Sequence, residues 1–322
     1  MSSKDRPLIV IPGDDPPQLS GSRHLERLGE YGEVVLHDTL PKDEEEQLRR
    51  AKDAVAIINS RSQVRWSGDL LRQLPNLKML TACGIGTDAI DLDTARELNI
   101  AVCNIPGRTA PIVAEHAFCL LLALSRRLAF HTAEMKAGRW TRGLATSLRG
   151  KTLGVIGTGN IGCEMIRLAR GFGLNVLAWS FNPSERKAAE LDFEYTDLER
   201  VLKESDALSV HVKLTEKTTN FIGAAELSTM KPGSLLVNTA RGAVIDTDAL
   251  VDALNSGHLA GAALDVYETE PLPAEHPILN CTEVVLTPHN ADQTPEGMDL
   301  LNGGCADNVI AFFEGKPQNV VT

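Results

Sequence analysis

Short apolar segments alternate with longer amphipathic stretches along the whole chain, and this alternation limits the possible folds more than any other feature. The apolar segments are rich in Val, Ile and Leu and lie at residues 8–11, 34–36, 54–58, 78–82, 100–104, 152–157, 175–179, 207–212, 234–240, 261–266 and 283–288. Several of the stretches between them begin at Asp, which favours a helix start because its side chain accepts hydrogen bonds from first-turn N–H groups. Buried strands that alternate with helices are typical of βαβ units around a parallel sheet. The sequence therefore predicts an α/β fold.

The length of the chain and the spacing of these segments predict two domains. A chain of 322 residues corresponds to about two domains at roughly 150 residues each. The first five apolar segments predict a smaller sheet, and the other six predict a doubly wound sheet. Candidate joints lie at Pro106-Gly107 and near Pro288, and the helical pattern at 295–315 is expected to pack back on the first domain. The chain would then cross between the domains twice, with a cleft between them.

Charge and cysteine content argue against several classes of protein. The net charge is −11, which argues against a nucleic-acid partner because such proteins present a basic face. A small anionic substrate remains compatible, since the local charge of a cleft can oppose the global sign. None of the six cysteines lies in a C-x-x-C pair or at zinc-ligand spacing, so no metal site is predicted. The N-terminal stretch resembles neither a signal peptide nor a membrane span, so no membrane partner and a cytoplasmic location are expected.

The segment TLGVIGTGNIG predicts a dinucleotide-binding turn. Gly157, Gly159 and Gly162 match G-x-G-x-x-G, and the motif follows an apolar segment and opens an amphipathic one, as the motif requires. The glycines would permit the tight turn, the close approach of a pyrophosphate and close helix–strand packing. The N–H groups near Asn160 and Ile161 would lie at a helix N-terminus, which favours a phosphate. A glycine-rich turn without a ligand is the alternative, and it fits this context less well.

The identity of the nicotinamide cofactor depends on the residues after segment 175–179. An NAD site usually has an acidic residue there for the ribose hydroxyls, but this chain continues Ser180-Phe181-Asn182-Pro183. Ser180 and Asn182 could hydrogen-bond either form of the ribose. The nearest cations, Arg186 and Lys187, are expected on a solvated helix face. NAD is therefore the predicted cofactor, and NADP stays open.

Three later segments supply charged groups after predicted strands, where open α/β sheets place their ligands. They read VNTARGAVID, LDVYETEP and LTPH, and they carry Arg241, Glu270 and His289. A guanidinium pairs with a carboxylate through two parallel hydrogen bonds, and a histidine beside a carboxylate exchanges a proton near neutral pH. Each residue alone could have a structural role, but together they form a set suited to oxidising a hydroxy acid.

At this point the chain resembles the D-isomer-specific 2-hydroxyacid dehydrogenase family. The motifs GIGTDAID, VAEH, GTGNIG, HVKLTEKT, NTARG, DVYETEP and TPH occur in the order of that family and cover essentially the whole chain. The resemblance implies two doubly wound domains, with a Rossmann-type nucleotide-binding domain at 105–290 inserted into a flavodoxin-like substrate domain at 1–104 and 291–322. It also implies an enzyme that acts on the CH–OH group of a small 2-hydroxy acid.

The resemblance assigns roles to individual positions of this chain. Arg241, Glu270 and His289 match the catalytic arginine, glutamate and acid–base histidine of the family. Asp265 matches the residue that holds the nicotinamide carboxamide, and Ala240 and Arg241 belong to the same cofactor surroundings. Substrate binding is assigned to the backbone of Ile85 and Gly86, to Arg241 and, as a weaker candidate, to Arg61. His211 is interpreted as structural. Three positions depart from the family pattern: Ser180, Lys213 and Asn290-Ala291-Asp292.

The expected function is hydride transfer between a nicotinamide cofactor and a 2-hydroxy or 2-oxo acid, as in glyoxylate and hydroxypyruvate reductases. Two alternatives are a phosphoglycerate dehydrogenase core and a non-catalytic NAD(H)-sensing module such as the C-terminal binding protein corepressors. Glu270 argues against formate as the substrate, because formate dehydrogenases have Gln at that position. The apolar stretch 110–130 is either a buried core helix or a dimer interface, and the resemblance favours a homodimer.

Overall fold

The described residues of the chain divide into two compact units. A computed structural model describes residues 6–322. Residues 1–5, which the predicted substrate domain includes, lie outside the described residues. The first unit contains the residues up to Thr109 together with Gln293–Thr322, and the second unit is Ala110–Asp292.

The first unit is built around a five-stranded parallel sheet. Its strands are β1 (Leu8–Ile11), β2 (Glu33–Leu36), β3 (Ala54–Asn59), β4 (Met79–Ala82) and β5 (Ala101–Cys103), and its helices are α1 (His24–Leu28), α2 (Glu44–Ala51), α3 (Gly68–Arg72), α4 (Leu92–Glu97) and α12 (Pro295–Phe313). The strand order β2-β1-β3-β4-β5 is that of flavodoxin-like sheets. The C-terminal helix α12 packs against α1 and β4. The chain therefore returns to this sheet through its C-terminal helix.

The second unit is built around a seven-stranded parallel sheet. Its strands are β6 (Thr152–Ile156), β7 (Asn175–Trp179), β8 (Glu194–Tyr195), β9 (Ala207–Val210), β10 (Ser234–Asn238), β11 (Leu259–Leu264) and β12 (Val284–Leu286). Its helices are α5 (Ala110–Ser125), α6 (Leu128–Lys136), α7 (Asn160–Phe172), α8 (Glu185–Leu191), α9 (Leu198–Glu204), α10 (Ala224–Thr229) and α11 (Thr247–Asn255). The order β12-β11-β10-β9-β6-β7-β8 is the Rossmann order with one added strand. The predicted fold class is confirmed.

Three of the four Asp residues that predicted helix starts act as N-caps, whereas Asp93 lies in the first turn of α4, which Asp91 caps instead. The side chains of Asp43, Asp197 and Asp246 accept hydrogen bonds from backbone N–H groups in the first turns of α2, α9 and α11. Each of these bonds satisfies a donor that the helix itself leaves without a partner. The local sequence thus sets where these helices begin.

The apolar stretch 110–130 forms two helices rather than one. The chain leaves the helical conformation at Arg127, whose φ is 52° and whose Nε donates to Glu283 at 2.8 Å. Helix α5 buries one side in the core of its own unit, where Ala114, Ala117 and Leu121 belong to the same cluster as Met165 of α7. Most of the apolar character of α5 is therefore explained by burial within the second unit.

The turn between β6 and α7 brings two backbones into direct contact. The carbonyl of Gly157 would lie 2.0 Å from a Cβ at Gly162, and Gly157 itself has a φ of 97°. A side chain at position 162 would push the first turn of α7 away from the end of β6. Because a helix fixed here presents its N-terminus to the sheet edge, this contact determines the geometry of the predicted phosphate loop.

We predict that Gly162→Ala destabilises the second unit by about 1–3 kcal/mol, because its methyl group would overlap a backbone oxygen that has no room to move. Gly171→Ala is the matched control on the same helix. A Cβ at Gly171 meets nothing within 4 Å, so this change should be neutral or should stabilise by up to about 1 kcal/mol. Unfolding midpoints in urea would test both. Equal midpoints for the two variants would contradict the account of the turn.

Candidate active site

The glycine turn leaves an open space at the N-terminus of a long helix. Gly159 caps the 13-residue helix α7, and a Cβ at Gly159 would meet nothing within 4 Å. The first N–H groups of a helix have no partner within the helix, so those of Asn160 and Ile161 are suited to an anion. The turn connects the carboxyl end of β6 to α7 and lies where the strand order of the sheet reverses, the position at which such sheets bind ligands. The loop therefore fits the pyrophosphate of a dinucleotide.

The end of β7 presents polar groups without an acidic residue. Asn182 N donates to Ser180 Oγ at 3.3 Å. The side chain of Arg186 is 81% exposed, and its Nε lies 3.8 Å from Glu190 Oε1. Arg186 therefore lies on a solvated helix face, as predicted. For Lys187 that prediction is wrong, because its Nζ donates to Thr158 O at 2.8 Å in a half-buried position. The long side chain reaches back over the glycine turn, so a cation lies beside the predicted phosphate loop.

Three neighbouring strands end at the same level of the sheet. Asn238 at the end of β10 is paired with Leu264 at the end of β11, and Leu264 is paired with Leu286 at the end of β12. The loops that follow these strands carry Arg241, Glu270 and His289. Parallel pairing in register thus brings together three segments that are far apart in the sequence.

Glu270 and His289 form a hydrogen-bonded pair. His289 Nδ1 lies 2.7 Å from Glu270 Oε2, and Tyr267 N donates to Glu270 Oε1 at 2.9 Å. The hydrogen bond that His289 donates to Glu270 raises the pKa of His289, and the negative charge of Glu270 adds to this effect. Burial alone would raise the pKa of Glu270, but the hydrogen bond and charge of His289 lower it. The pair therefore favours a charged imidazolium next to a carboxylate.

Arg241 lies close enough to this pair for its charge to act on both members, lowering the pKa values of Glu270 and His289. Its Nη1 donates to Ala240 O at 2.7 Å. A close backbone contact fixes its position, since a Cβ at Gly242 would meet Tyr267 C at 1.9 Å. Without a side chain at Gly242, the loop after β10 packs directly on the turn that carries Glu270.

Asp265 is a buried carboxylate that joins several parts of this site. Its side chain is 1% exposed. Its Oδ1 accepts from Thr287 Oγ1 at 2.6 Å and from Asn290 N at 3.0 Å, and its Oδ2 accepts from Ala291 N at 3.1 Å. Burial alone would raise its pKa, but hydrogen bonds from His116, Thr287 and Asn290 lower it. Each carboxylate oxygen has two acceptor positions. Asp265 Oδ2 can therefore accept one more hydrogen bond, as its predicted role of holding a nicotinamide carboxamide requires.

Two buried oxygens near these strand ends have no hydrogen-bond partner among residues 6–322. They are Thr239 Oγ1, after β10, and Asn290 Oδ1, after His289. Buried polar groups are rarely left without partners in native proteins, so these atoms fit a site whose ligand completes their hydrogen bonds. Together with the open glycine turn, they make the second unit suited to a nicotinamide dinucleotide.

His211 is buried beside the glycine turn, and its backbone oxygen lies 2.7 Å from the position of a Cβ at Gly157. Burial lowers the pKa of His211 to about 4, and its Nε2 lies 2.8 Å from Ser209 Oγ. It is therefore neutral near pH 7.

Lys213 is one of the positions that depart from the family pattern. Its backbone oxygen accepts from Thr218 Oγ1 at 2.6 Å.

The predicted substrate-binding residues other than Arg241 belong to the first unit. Arg61 lies in a short 3₁₀ turn after β3 with a φ of 50°, and its guanidinium donates to the side chain of Gln293. Ile85 is 37% exposed, and its carbonyl accepts from Asn104 Nδ2 at 2.8 Å. Gly86 follows it in the loop between β4 and α4. The structure thus gathers the proposed acid–base set within the second unit and places these three residues in the first.

His116 and Thr287 contribute to the site, although the sequence analysis assigned them no role. The sequence did contain a signal for both residues, since VAEH and TPH are among the motifs that carry the resemblance.

Among the described residues, no group of His, Cys, Asp and Glu side chains could hold a metal ion. No helix within residues 6–322 is long and apolar enough to cross a membrane.

Comparisons with known proteins agree with this geometry. The family model described as "D-isomer specific 2-hydroxyacid dehydrogenase, NAD binding domain" matches residues 118–291. A glyoxylate reductase from Aeropyrum pernix is 39% identical over 308 residues, 92% of this chain and 92% of that protein. A hydroxypyruvate reductase from Thermotoga maritima is 40% identical over 81% of this chain and 85% of its own. The structure of D-lactate dehydrogenase from Aquifex aeolicus, complexed with NAD and lactic acid, superposes with a TM-score of 0.84 at 32% identity, covering 96% of both chains.

We predict that Glu270→Gln lowers the pKa of His289, because the amide removes the negative charge that favours the imidazolium. An NMR titration of the histidine ring protons would measure this directly. Glu268→Gln is the control, since it removes an exposed carboxylate from the same turn without a contact to His289. Equal His289 pKa values in the two variants would show that Glu270 does not determine the protonation of the imidazole.

Proposed function

This chain belongs to the D-isomer-specific 2-hydroxyacid dehydrogenase family, and we propose that it reduces glyoxylate, hydroxypyruvate or a similarly small 2-oxo acid. It is an oxidoreductase that acts on the CH–OH group of a small 2-hydroxy acid with a nicotinamide cofactor. The observation that carries the proposal is the 2.7 Å contact between His289 Nδ1 and Glu270 Oε2. It supplies a proton donor next to Arg241 at the strand ends where the family binds its cofactor.

The proposed reaction combines one hydride and one proton with the 2-oxo acid. A reduced nicotinamide, when bound, supplies the hydride for C2 of the substrate. Arg241 polarises the 2-oxo group and binds the substrate carboxylate, as a planar guanidinium is suited to do. The protonated Nε2 of His289 then donates its proton to the oxygen as negative charge develops there. Glu270 holds the opposite nitrogen and stabilises the imidazolium until that transfer.

Other residues of the chain complete this proposal. Asp265, Ala240 and the glycine turn would bind the cofactor in the second unit, with Asp265 Oδ2 accepting from its carboxamide. The assignments of Ile85, Gly86 and Arg61 to substrate binding stay predictions, as does the role of residues 1–104 and 291–322 as the substrate domain. We also propose a cytoplasmic location, where the six unpaired cysteines would stay reduced.

We predict that His289→Ala abolishes 2-oxo acid reduction while NADH still binds, because the proton donor is lost but the phosphate loop is intact. Arg241→Ala should lower kcat/KM, because it removes about 3–5 kcal/mol of transition-state stabilisation. Arg186→Ala, on the exposed face of α8, is the control and should retain full activity. NADH oxidation followed by absorbance would measure turnover, and NADH fluorescence would measure binding. Near-normal turnover in His289→Ala or in Arg241→Ala would refute the assignment.

We propose that NAD(H) is preferred to NADP(H), with weak discrimination of about tenfold, or about 1.4 kcal/mol. A 2′-phosphate is usually met by an arginine, and the end of β7 has none, whereas Ser180 and Asn182 can bind free hydroxyls. The expected result is a higher kcat/KM for NADH than for NADPH with one shared 2-oxo acid. Ser180→Asp should increase that ratio.

Lys187 is the residue most able to reverse this order, because its ammonium group already lies beside the glycine turn. A preference for NADPH that disappears in Lys187→Met would overturn the NAD assignment and identify the cause. A reversal that depends on Arg186→Ala instead would mean that the exposed arginine moves to the ribose.

We propose that the protein is a homodimer whose interface includes α6 and the segment after it. The large apolar side chains that this stretch exposes favour an interface. Leu128, Met135, Trp140 and Leu144 are 54%, 54%, 73% and 96% exposed. Light scattering at micromolar concentration should give twice the 34.8 kDa mass of one chain. The mass of a single chain would refute the dimer.

A further inference from the structure

His116 lies at the centre of a hydrogen-bonded group that the proposed reaction does not use directly. It belongs to the VAEH motif and lies on α5, and its side chain is 23% exposed. Its Nε2 is 3.2 Å from Thr287 Oγ1 and 3.4 Å from Asp265 Oδ1. The contact therefore joins α5 to the loop that carries His289.

The donors and acceptors in this group have one consistent arrangement. Thr287 has a single hydroxyl proton, and it is donated to Asp265 Oδ1 at 2.6 Å, because an ionised carboxylate only accepts. Thr287 Oγ1 must then accept from His116, so the Nε2 atom of His116 carries a proton. An unprotonated Nε2 would direct its lone pair at both oxygens. Both the neutral Nε2–H tautomer and the imidazolium satisfy this requirement.

The same carboxylate fixes the backbone that follows His289. Asn290 N and Ala291 N donate to the two oxygens of Asp265 at 3.0 and 3.1 Å. His289 itself has a φ of 50°, a left-handed conformation that a residue with a side chain adopts only when its surroundings hold it there. The geometry of His289 therefore depends on the position of Asp265, and the position of Asp265 depends on its donors.

We infer that His116 is a positioning residue for the acid–base histidine, acting through Thr287 and Asp265 from a helix on the other side of the group. The inference rests on the proposed function, since it assigns the role to the imidazole of His289. His116 is not among the residues proposed to bind the substrate. The Nε2–H group of His116 orients the hydroxyl of Thr287, which donates to Asp265. Asp265 in turn holds the backbone turn after His289, so His289 Nδ1 stays hydrogen-bonded to Glu270.

Two substitutions separate a directed hydrogen bond from simple packing. The side-chain nitrogen of Gln lies near the position of His Nε2, whereas that of Asn lies near Nδ1. His116→Gln therefore keeps a donor to Thr287, and His116→Asn does not. We expect kcat to fall about ten- to a hundredfold in His116→Asn and His116→Leu, as for the loss of a hydrogen bond in a charged group. His116→Gln should stay close to the unmodified enzyme, and KM for the 2-oxo acid should change little in all three.

A double-mutant cycle tests the path through Thr287. Thr287→Val removes the hydroxyl and keeps the shape of the side chain. If His116 acts through that hydroxyl, His116→Leu combined with Thr287→Val should be no worse than the more severe single variant. Losses that multiply would mean two independent effects and would overturn the inference. Equal activity of the Gln and Asn variants would overturn it as well.

A measurement on the cofactor-free protein keeps this test separate from the proposed function. The groups that face His289 are Glu270, Asp265 and Arg241. Relaxation of the turn should lengthen the contact with Glu270, so the pKa of His289 should fall in His116→Leu and stay unchanged in His116→Gln, as followed by NMR. If the unmodified protein reduces no 2-oxo acid, the proposed function fails, while this titration still decides the positioning role. An unchanged His289 pKa in His116→Leu would overturn it.

Discussion

The site depends on one buried negative charge, the carboxylate of Asp265 at the end of β11. An ionised group with 1% exposure is costly unless hydrogen bonds compensate the loss of water. Its donors come from the end of β12 and from the turn that follows His289. The buried charge is stable only while each of these donors stays in place. The charge of Asp265 therefore constrains the loop that carries the imidazole of His289.

The parallel sheet converts this local order into a reactive arrangement. Strands β10, β11 and β12 end at the same level, so their loops meet although they are separated by tens of residues in the sequence. The direct packing of Gly242 on the turn after Tyr267 then sets Arg241 beside Glu270. The resulting set has one cation, one carboxylate and one histidine whose pKa is raised by that carboxylate, which is the balance needed to give a proton to an oxygen that gains negative charge.

The sequence was sufficient for the fold class and the family, because strand periodicity, capping Asp residues and ordered motifs all indicated the same architecture. It missed β8, since Glu194–Tyr195 is too short for a periodic pattern. It extended β10 to Ala240, although Thr239 and Ala240 belong to the loop after the strand. The orientation of Lys187 and the contact of His116 with Thr287 depend on three-dimensional proximity, which no spacing along the chain encodes. The roles assigned to the site residues rest on the resemblance and on geometry together.

The central claim is that a histidine made more basic by Glu270 donates the proton during reduction, and the pH dependence of kcat/KM for glyoxylate with NADH tests it most directly. Reduction needs the protonated imidazole, so kcat/KM should be level at low pH and should fall as the pH rises through the pKa of His289. That pKa should lie above the ordinary histidine value of about 6.5. The reverse reaction should instead become faster with rising pH through the same pKa. A reductive rate that increases with pH, or that falls at or below the ordinary value, would contradict the account.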